Sequence, residues 1–307
     1  VSDAILLLGA SGFVGTALTR ALVAAGTRIV AVGRNTHPTS LGGVTFVDDE
    51  FTTPAHFAPW LAQCRAVVHL ASRSTPGRSA GKPLFELDHN LRTTLALIEA
   101  LQTHPHCELL YLSSGGTLYG DADTSPATER HIIRPKSYYG AGKAAAEHFV
   151  TAWTMQFSSR ATILRPSNLY GPGQSTRQGF GIIPTAFDSL RDGTGLTIWG
   201  DGSTVRDYLY IDDFVDLCLA VLANPMPPGT QVLNAASGQG ISLNELLAQI
   251  ETVTGKALPR QYVSGRSVDV SRIVLDPGRA RRHYAWTAST PIQQGLARTW
   301  RWYSTQA

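Results

Sequence analysis

A tyrosine and a lysine stand one helical turn apart in Tyr139-Gly140-Ala141-Gly142-Lys143. Residues at i and i+4 of a helix share a face, so this spacing sets a phenol beside an ammonium. A nearby positive charge favours the phenolate and lowers the tyrosine pKa, which makes the pair usable for acid–base chemistry near neutral pH. Taken alone, such a pair is commonly a surface contact, and its weight comes from what precedes it. Tyr138 lacks a lysine four residues on and reads as a packing residue.

What precedes it is Gly9-Ala10-Ser11-Gly12-Phe13-Val14-Gly15, set between a short apolar run and a helical stretch. Glycines in a strand-to-helix turn let the backbone approach a pyrophosphate, whose charge sits at the positive end of the helix. The spacing is GxxGxxG, and it predicts dinucleotide contacts from Gly9, Ser11, Gly12, Phe13, Val14 and Gly15. Sites for NAD usually carry an acid after the second strand. Here the stretch is Val32-Gly33-Arg34-Asn35, and the arginine fork suits a ribose 2′-phosphate. The cofactor reading therefore leans to NADP, with NAD as the alternative.

The elements that must hold these residues follow from periodicity. Apolar runs at Ala4–Leu8, Arg28–Val32, Val44–Val47, Ala66–Leu70, Glu108–Ser113 and Ala161–Leu164 read as strands buried on both faces. Helical stretches at Val14–Ala25, Phe85–Gln102 and Ala141–Gln156 lie between them. This alternation predicts an α/β fold with a Rossmann-type, doubly wound parallel sheet. After Pro166 the texture becomes rich in glycine and proline. Helices are expected at Asp212–Ala223, Ser242–Thr254 and Pro291–Tyr303, and strands at Gln231–Ala235 and Arg272–Leu275. Residues 1–165 thus read as a dinucleotide-binding domain and 166–307 as a smaller substrate lobe, partly threaded back onto the first.

Composition narrows the classes. A chain of 307 residues that is 43% hydrophobic and 16% charged buries a real core. A net charge of +3 is too slight a bias to argue for nucleic acid. The three cysteines, Cys64, Cys107 and Cys218, form no CxxC pair and no zinc pattern, which predicts no metal and a reduced, cytoplasmic setting. The early run Ile5–Leu8 is far short of a membrane span.

With GASGFVG at 9–15, HLAS at 69–72, SSGGTLYG at 113–120 and YGAGK at 139–143, the sequence resembles the extended short-chain dehydrogenase/reductase family, above all its nucleotide-sugar epimerases, dehydratases and reductases. LRPSNLYGPGQ at 164–174, WGDGSTVRDYLYIDD at 199–213 and RSVD at 266–269 extend the resemblance over nearly the whole chain.

The resemblance implies roles residue by residue. Tyr139 would exchange a proton with the sugar, and Lys143 would hold the nicotinamide ribose. The family's third catalytic hydroxyl falls on Gly115, which has none, so Ser114 or Thr117 must replace it, with Thr117 preferred. Glu50 and Phe51, then Leu70, Ala71 and Ser72, then Asn90 and Ser113 complete the implied cofactor set. His69 reads as a strand-end histidine satisfied by backbone. Asn168, Arg206 and Arg266 would grip a nucleotide diphosphate, since paired guanidinium groups suit its oxygens. Ile273 falls where some relatives have a tyrosine that limits the sugar pocket.

Relatives that dehydrate sugars carry an acid and base at Gly115-Gly116-Thr117, which this chain lacks. The resemblance therefore implies an NAD(P)-dependent C4 epimerase acting through a 4-keto sugar on a UDP-hexose or UDP-N-acetylhexosamine. The alternatives are an NADPH-dependent 4-ketosugar reductase and, less favoured, a non-catalytic dinucleotide sensor. It also implies a homodimer built through the helices near Phe85–Gln102 and Ala141–Gln156, with no membrane partner.

Overall fold

The computed structural model describes residues 3–33, 42–49, 51–121, 125–176, 181–265 and 270–306. Its first half runs β1 (Ala4–Leu8), α1 (Phe13–Ala24), β2 (Ile29–Val32), β3 (Val44–Val47), α2 (Pro54–Leu61), β4 (Cys64–His69), α3 (Pro83–Glu86), α4 (Arg92–Leu101), β5 (Glu108–Leu112), α5 (Gly115–Leu118), α6 (Tyr138–Phe157) and β6 (Arg160–Pro166). Continuing, β7 (Asn168–Tyr170), α7 (Ile182–Asp192), β8 (Leu196–Trp199), β9 (Val205–Tyr210), α8 (Ile211–Ala223) and β10 (Gly229–Ala235) follow. The chain then forms β11 (Gly240–Ser242), α9 (Leu243–Thr254), β12 (Arg260–Val263), β13 (Arg272–Ile273), α10 (Gly278–Tyr284) and α11 (Ile292–Ser304).

Seven strands form the central sheet in the order β10-β6-β5-β4-β1-β2-β3. Every neighbouring pair is parallel. β1 is wholly buried, as its unbroken apolar run requires when helices cover both faces. The strand order reverses at β1, which has β2 on one side and β4 on the other, and that crevice is where doubly wound sheets bind ligands. Residues 231–235, expected as a strand of the second lobe, extend this sheet instead: β10 pairs with β6 from Gly229 to Ala235. α8 likewise packs on α1, so the chain returns to the first half between β9 and β11, two strands of one smaller sheet.

The single helix expected over 85–102 is broken. α3 starts at Pro83, whose fixed φ suits the first helical position, then a π-helical turn spans Leu87–Leu91 before α4. Such turns insert a residue and re-aim side chains, commonly at functional sites. Here the turn carries Asn90 against the carboxylate of Glu86. Among the described residues, no helix is long and apolar enough to cross a membrane.

Candidate active site

The turn after β1 is set by steric necessity. Gly9 has φ +87°, and a Cβ there would lie 2.8 Å from the backbone nitrogen of Ala71. A Cβ on Gly15 would overlap the carbonyl oxygen of Gly9 and lie 2.7 Å from Ala10 Cα. One on Gly33, at the end of β2, would come within 2.8 Å of Ser11 Oγ. The three glycines therefore let the turn, the β4 segment and the β2 end close on one another. α1 begins here with no side-chain cap and no acid in its first turn, leaving its positive end to an anion. This bare cradle fits the pyrophosphate of a dinucleotide.

The cleft above the turn has a volume of about 1670 Å³. Of the residues expected to hold a cofactor, Gly9, Ser11, Gly12, Phe13, Val14, Gly15, Phe51, Leu70, Ala71, Ser72, Ser113 and Tyr139 all line it. Phe51 is buried edge-on to Phe57, with ring centroids 4.9 Å apart. Asn90 and Lys143 are not in the lining; both are buried behind it. Arg34, Glu50 and Arg266 lie outside the described residues, and Asp49 lines the cleft beside that segment. Tyr138, read as packing, is half exposed and also faces the cleft.

Ser137 caps α6 by accepting the backbone N–H of Gly140, and this fixes the turn from which Tyr139 projects. Lys143, 2% exposed, donates to the Leu112 carbonyl at 2.8 Å. Its Nζ lies 4.9 Å from the centre of the Tyr111 ring and 5.9 Å from that of Tyr139. The spacing argument thus places the two residues correctly but misjudges the phenol. Burial, then the charge of Glu86, push Tyr139 up to about 12, while a hydrogen bond with Ser114 pulls it down. Lys143 itself is pushed down to about 8 by burial, against the favourable charges of Glu86 and Glu147. The ammonium is turned toward a carbonyl, and burial, with the carboxylate of Glu86 adding to it, governs the phenol.

Thr117, the preferred third hydroxyl, lines the cleft but donates to Ser114 Oγ at 2.9 Å. Ser114 is the one bonded to Tyr139. The Gly115 position is closed to any side chain, since a Cβ there would overlap Leu275 Cδ1 and lie 2.9 Å from the Arg165 carbonyl oxygen. The hydroxyls of 114 and 117 therefore form a short chain ending on the phenol.

Behind this wall runs a buried polar network. Arg165 and Glu147 form an ion pair at 2.5 Å, each side chain 5% exposed. Ser113 Oγ donates to Glu147, and Arg165 Nη1 donates to Tyr119 Oη, which donates in turn to Asn234. His69 is 1% exposed; its Nε2 meets Thr94 Oγ1 at 3.0 Å and its Nδ1 has no hydrogen-bond partner. The expected backbone partner is thus a side-chain hydroxyl. Burial first, then Lys143, push this histidine down to about 3, so it stays neutral.

Across the cleft, Asn168 Nδ2 donates to the Asp207 carbonyl, and Arg206 donates to the carbonyls of Val205 and Val270. Both residues line the cleft with Trp199, Tyr208 and Val270. Asp207 is buried; it accepts from the backbone of Ser237 and Gly238 and so pins the strand that carries Arg206. Ile273 does not reach the cleft. It packs with Tyr119, Ala127, Ala236 and Leu275, because β13 runs beside β9 rather than over the opening.

The sequence model described as the NAD dependent epimerase/dehydratase family matches residues 5–236. The chain is 29% identical over 308 residues to UDP-glucose 4-epimerase of Mycolicibacterium smegmatis, covering 96% of each chain. It superposes on Thermus thermophilus UDP-glucose 4-epimerase in complex with NAD at a TM-score of 0.91, with 25% identity over 99% of this chain and 100% of that one. It is similar also to MoeE5 in complex with UDP-glucuronic acid and NAD, at a TM-score of 0.90 and 28% identity over 100% of both chains. The chain belongs to the NAD dependent epimerase/dehydratase family and is an enzyme of it.

Proposed function

We propose that this family member inverts C4 of a nucleotide-diphosphate sugar through a transient 4-keto sugar, using NAD. The observation that carries the reading is one shared cleft. The glycine turn after β1 and the Tyr139 phenol both face it, and Lys143 is buried behind the phenol. Names of the relatives support a UDP handle and leave the sugar open. Arg34, the basis for expecting NADP, lies outside the described residues, whereas similar structures hold NAD.

In this reading, residues 1–165 supply the dinucleotide site and residues 166–307 the substrate wall. Gly9, Ser11, Gly12, Phe13, Val14 and Gly15 hold the pyrophosphate, and Phe51, Leu70, Ala71, Ser72 and Ser113 line the rest. Asn90 and Lys143 support that wall from behind. A bound NAD would supply the hydride chemistry at C4 and, in its oxidised form, a positive ring that offsets the raised pKa of the phenol. Tyr139, as the phenolate, takes the proton of the C4 hydroxyl as the hydride leaves C4 and, as the phenol so formed, gives it back in the other half-reaction. Ser114, backed by Thr117, orients the phenol. Asn168, Arg206 and Arg266 hold the diphosphate while the sugar turns. Assembly as a homodimer in the cytoplasm belongs to the same reading.

The test is a product assay with UDP-glucose, UDP-glucuronic acid and UDP-N-acetylglucosamine in the presence of a trace of NAD. Interconversion of C4 epimers is expected without net cofactor turnover. Tyr139→Phe should lower kcat by about 10²- to 10⁴-fold, the usual worth of a positioned acid–base group. Stoichiometric consumption of NADPH on 4-keto sugars, with no epimer formed, would overturn the reading in favour of a one-way reductase.

A further inference from the structure

Glu86 is an acid in a place that excludes water. It ends α3, is 4% exposed, and presses on the backbone of α6 between Tyr139 and Lys143. Gly142 makes room for it: a Cβ there would overlap Glu86 Oε1 and lie 2.8 Å from Cγ and 2.9 Å from Cδ. Oε1 accepts from Asn90 Nδ2 at 2.5 Å, across the π-helical turn. Oε2 is buried with no hydrogen-bond partner, and so is Asn90 Oδ1. A buried carboxylate left half bonded is costly unless a charge faces it.

The charged and titratable groups packed around it narrow the choice of counter-charge. Its charge acts on Tyr139 and Lys143 of α6 and on Tyr111 of β5, while Glu147 of α6, His69 of β4 and Arg165 of β6 are buried in the same wall. Arg165 is committed to Glu147, which also accepts from Ser113. His69 is held neutral. Lys143 is a cation that the charge of Glu86 favours, ahead of that of Glu147.

We propose that Glu86 is a positioning residue acting through the proton-transfer pair: its carboxylate, lodged against α6 at Gly142, is the internal counter-charge of Lys143 and sets the charge balance beside Tyr139. Asn90 fixes Oε1, the carboxylate oxygen nearest Gly142 of α6, and Gly142 keeps the gap narrow. The directions at both neighbours agree, since Glu86 raises Lys143 and raises Tyr139. This inference rests on Tyr139 being the proton-transfer group.

Glu86→Gln keeps the shape and the Asn90 bond but removes the charge. The ammonium then loses support and the phenolate loses repulsion, so both pKa values fall. Two readouts follow. Phenolate absorbance at 295 nm after a stopped-flow pH jump, read before the chain unfolds and with Tyr139→Phe as blank, should show the Tyr139 midpoint lowered by about one pH unit. Both limbs of the kcat–pH profile, measured on the NAD-loaded enzyme, should move to lower pH in the same variant. Glu86→Asp, which keeps charge and sacrifices packing, should stay close to the parent in both. Equal Tyr139 midpoints in parent and Glu86→Gln would overturn the proposal. So would a profile for Glu86→Asp displaced from the parent by about one pH unit, which marks a space-filling role; this arm needs only the Asp variant and reads the proposal even where Gln prevents folding. Full turnover by Tyr139→Phe would instead sink the function reading, while the absorbance titration still reports on Glu86.

Discussion

The two walls of the cleft are made by opposite means. On the β1 side, close approach of the backbone is secured by leaving atoms out: Gly9, Gly15 and Gly33 close a turn that tolerates no Cβ. Behind Tyr139, polar and charged side chains are packed where water does not reach, with Lys143, Glu147, Arg165 and His69 all nearly fully buried. The first wall fails when volume is added. The second fails when a charge loses its partner. Mutations should therefore separate the walls by their signature, one reading out in cofactor affinity, the other in stability and pH dependence.

The largest effect is expected from Arg165→Met. Glu147 would be left buried with its charge opposed only by the Ser113 hydroxyl and distant Lys143. Breaking one partner of a buried pair costs about 3–5 kcal/mol, measurable as a lower urea midpoint at unchanged slope. A loss under about 1 kcal/mol, the range of an exposed pair, would show that water reaches this wall. Next comes Gly15→Ala. Its Cβ overlaps the Gly9 carbonyl, so the turn must shift, and a displacement of about 1 Å can cost about 100-fold in a positioned site. Calorimetric titration with NAD should show that loss while the urea midpoint moves far less. Equal NAD affinity would mean that this turn does not hold the dinucleotide.

How much was legible in the sequence follows the same division. Glycines in a strand-to-helix turn announce themselves because no other residue can serve there, and the strand–helix alternation gives the central sheet directly. The sixth-strand partner, β10, was hidden because its pairing with β6 joins residues far apart in sequence. At Tyr139 the i, i+4 spacing located the pair but carried no sign of the burial that reverses the expected shift, nor of Glu86, which arrives from another helix and adds to it. Glu86 stands in a segment that also carries Asp88, His89 and Asn90, so nothing in its spacing marked it out, and periodicity alone reads it as surface. Ser114 over Thr117 could likewise not be read from spacing, since both lie within one turn of the same segment.

A smaller effect sharpens the second wall. His69 is held at about 3 in the folded chain against 6.5 unfolded, burial being the main cause. Between these values the unfolded chain binds a proton that the folded one refuses, so stability is complete above pH 6.5 and falls as pH drops toward 3. From pH 6.5 to 5 the parent should lose about 2 kcal/mol through this group. His69→Asn, which has no such proton to take up, should flatten that part of the stability–pH curve. A curve that keeps its slope would place the acid sensitivity in other groups.

The smallest effect tests whether the first wall is about glycine itself or about space. Gly26, just beyond α1, has φ +73° and nothing within 4 Å of where a Cβ would stand. Gly26→Ala therefore meets no atom and costs only the left-handed backbone conformation, about 1–2 kcal/mol, partly offset by about 0.4–1 kcal/mol from a stiffer unfolded chain. The net loss should be about 1 kcal/mol or less, and affinity for NAD should not change. Gly15→Ala inverts that pattern, because its obstacle is the Gly9 carbonyl and not its own φ. If the two alanines instead gave the same profile in both assays, backbone freedom rather than close approach would explain the glycines of the turn, and the contrast between the walls would lose its physical basis.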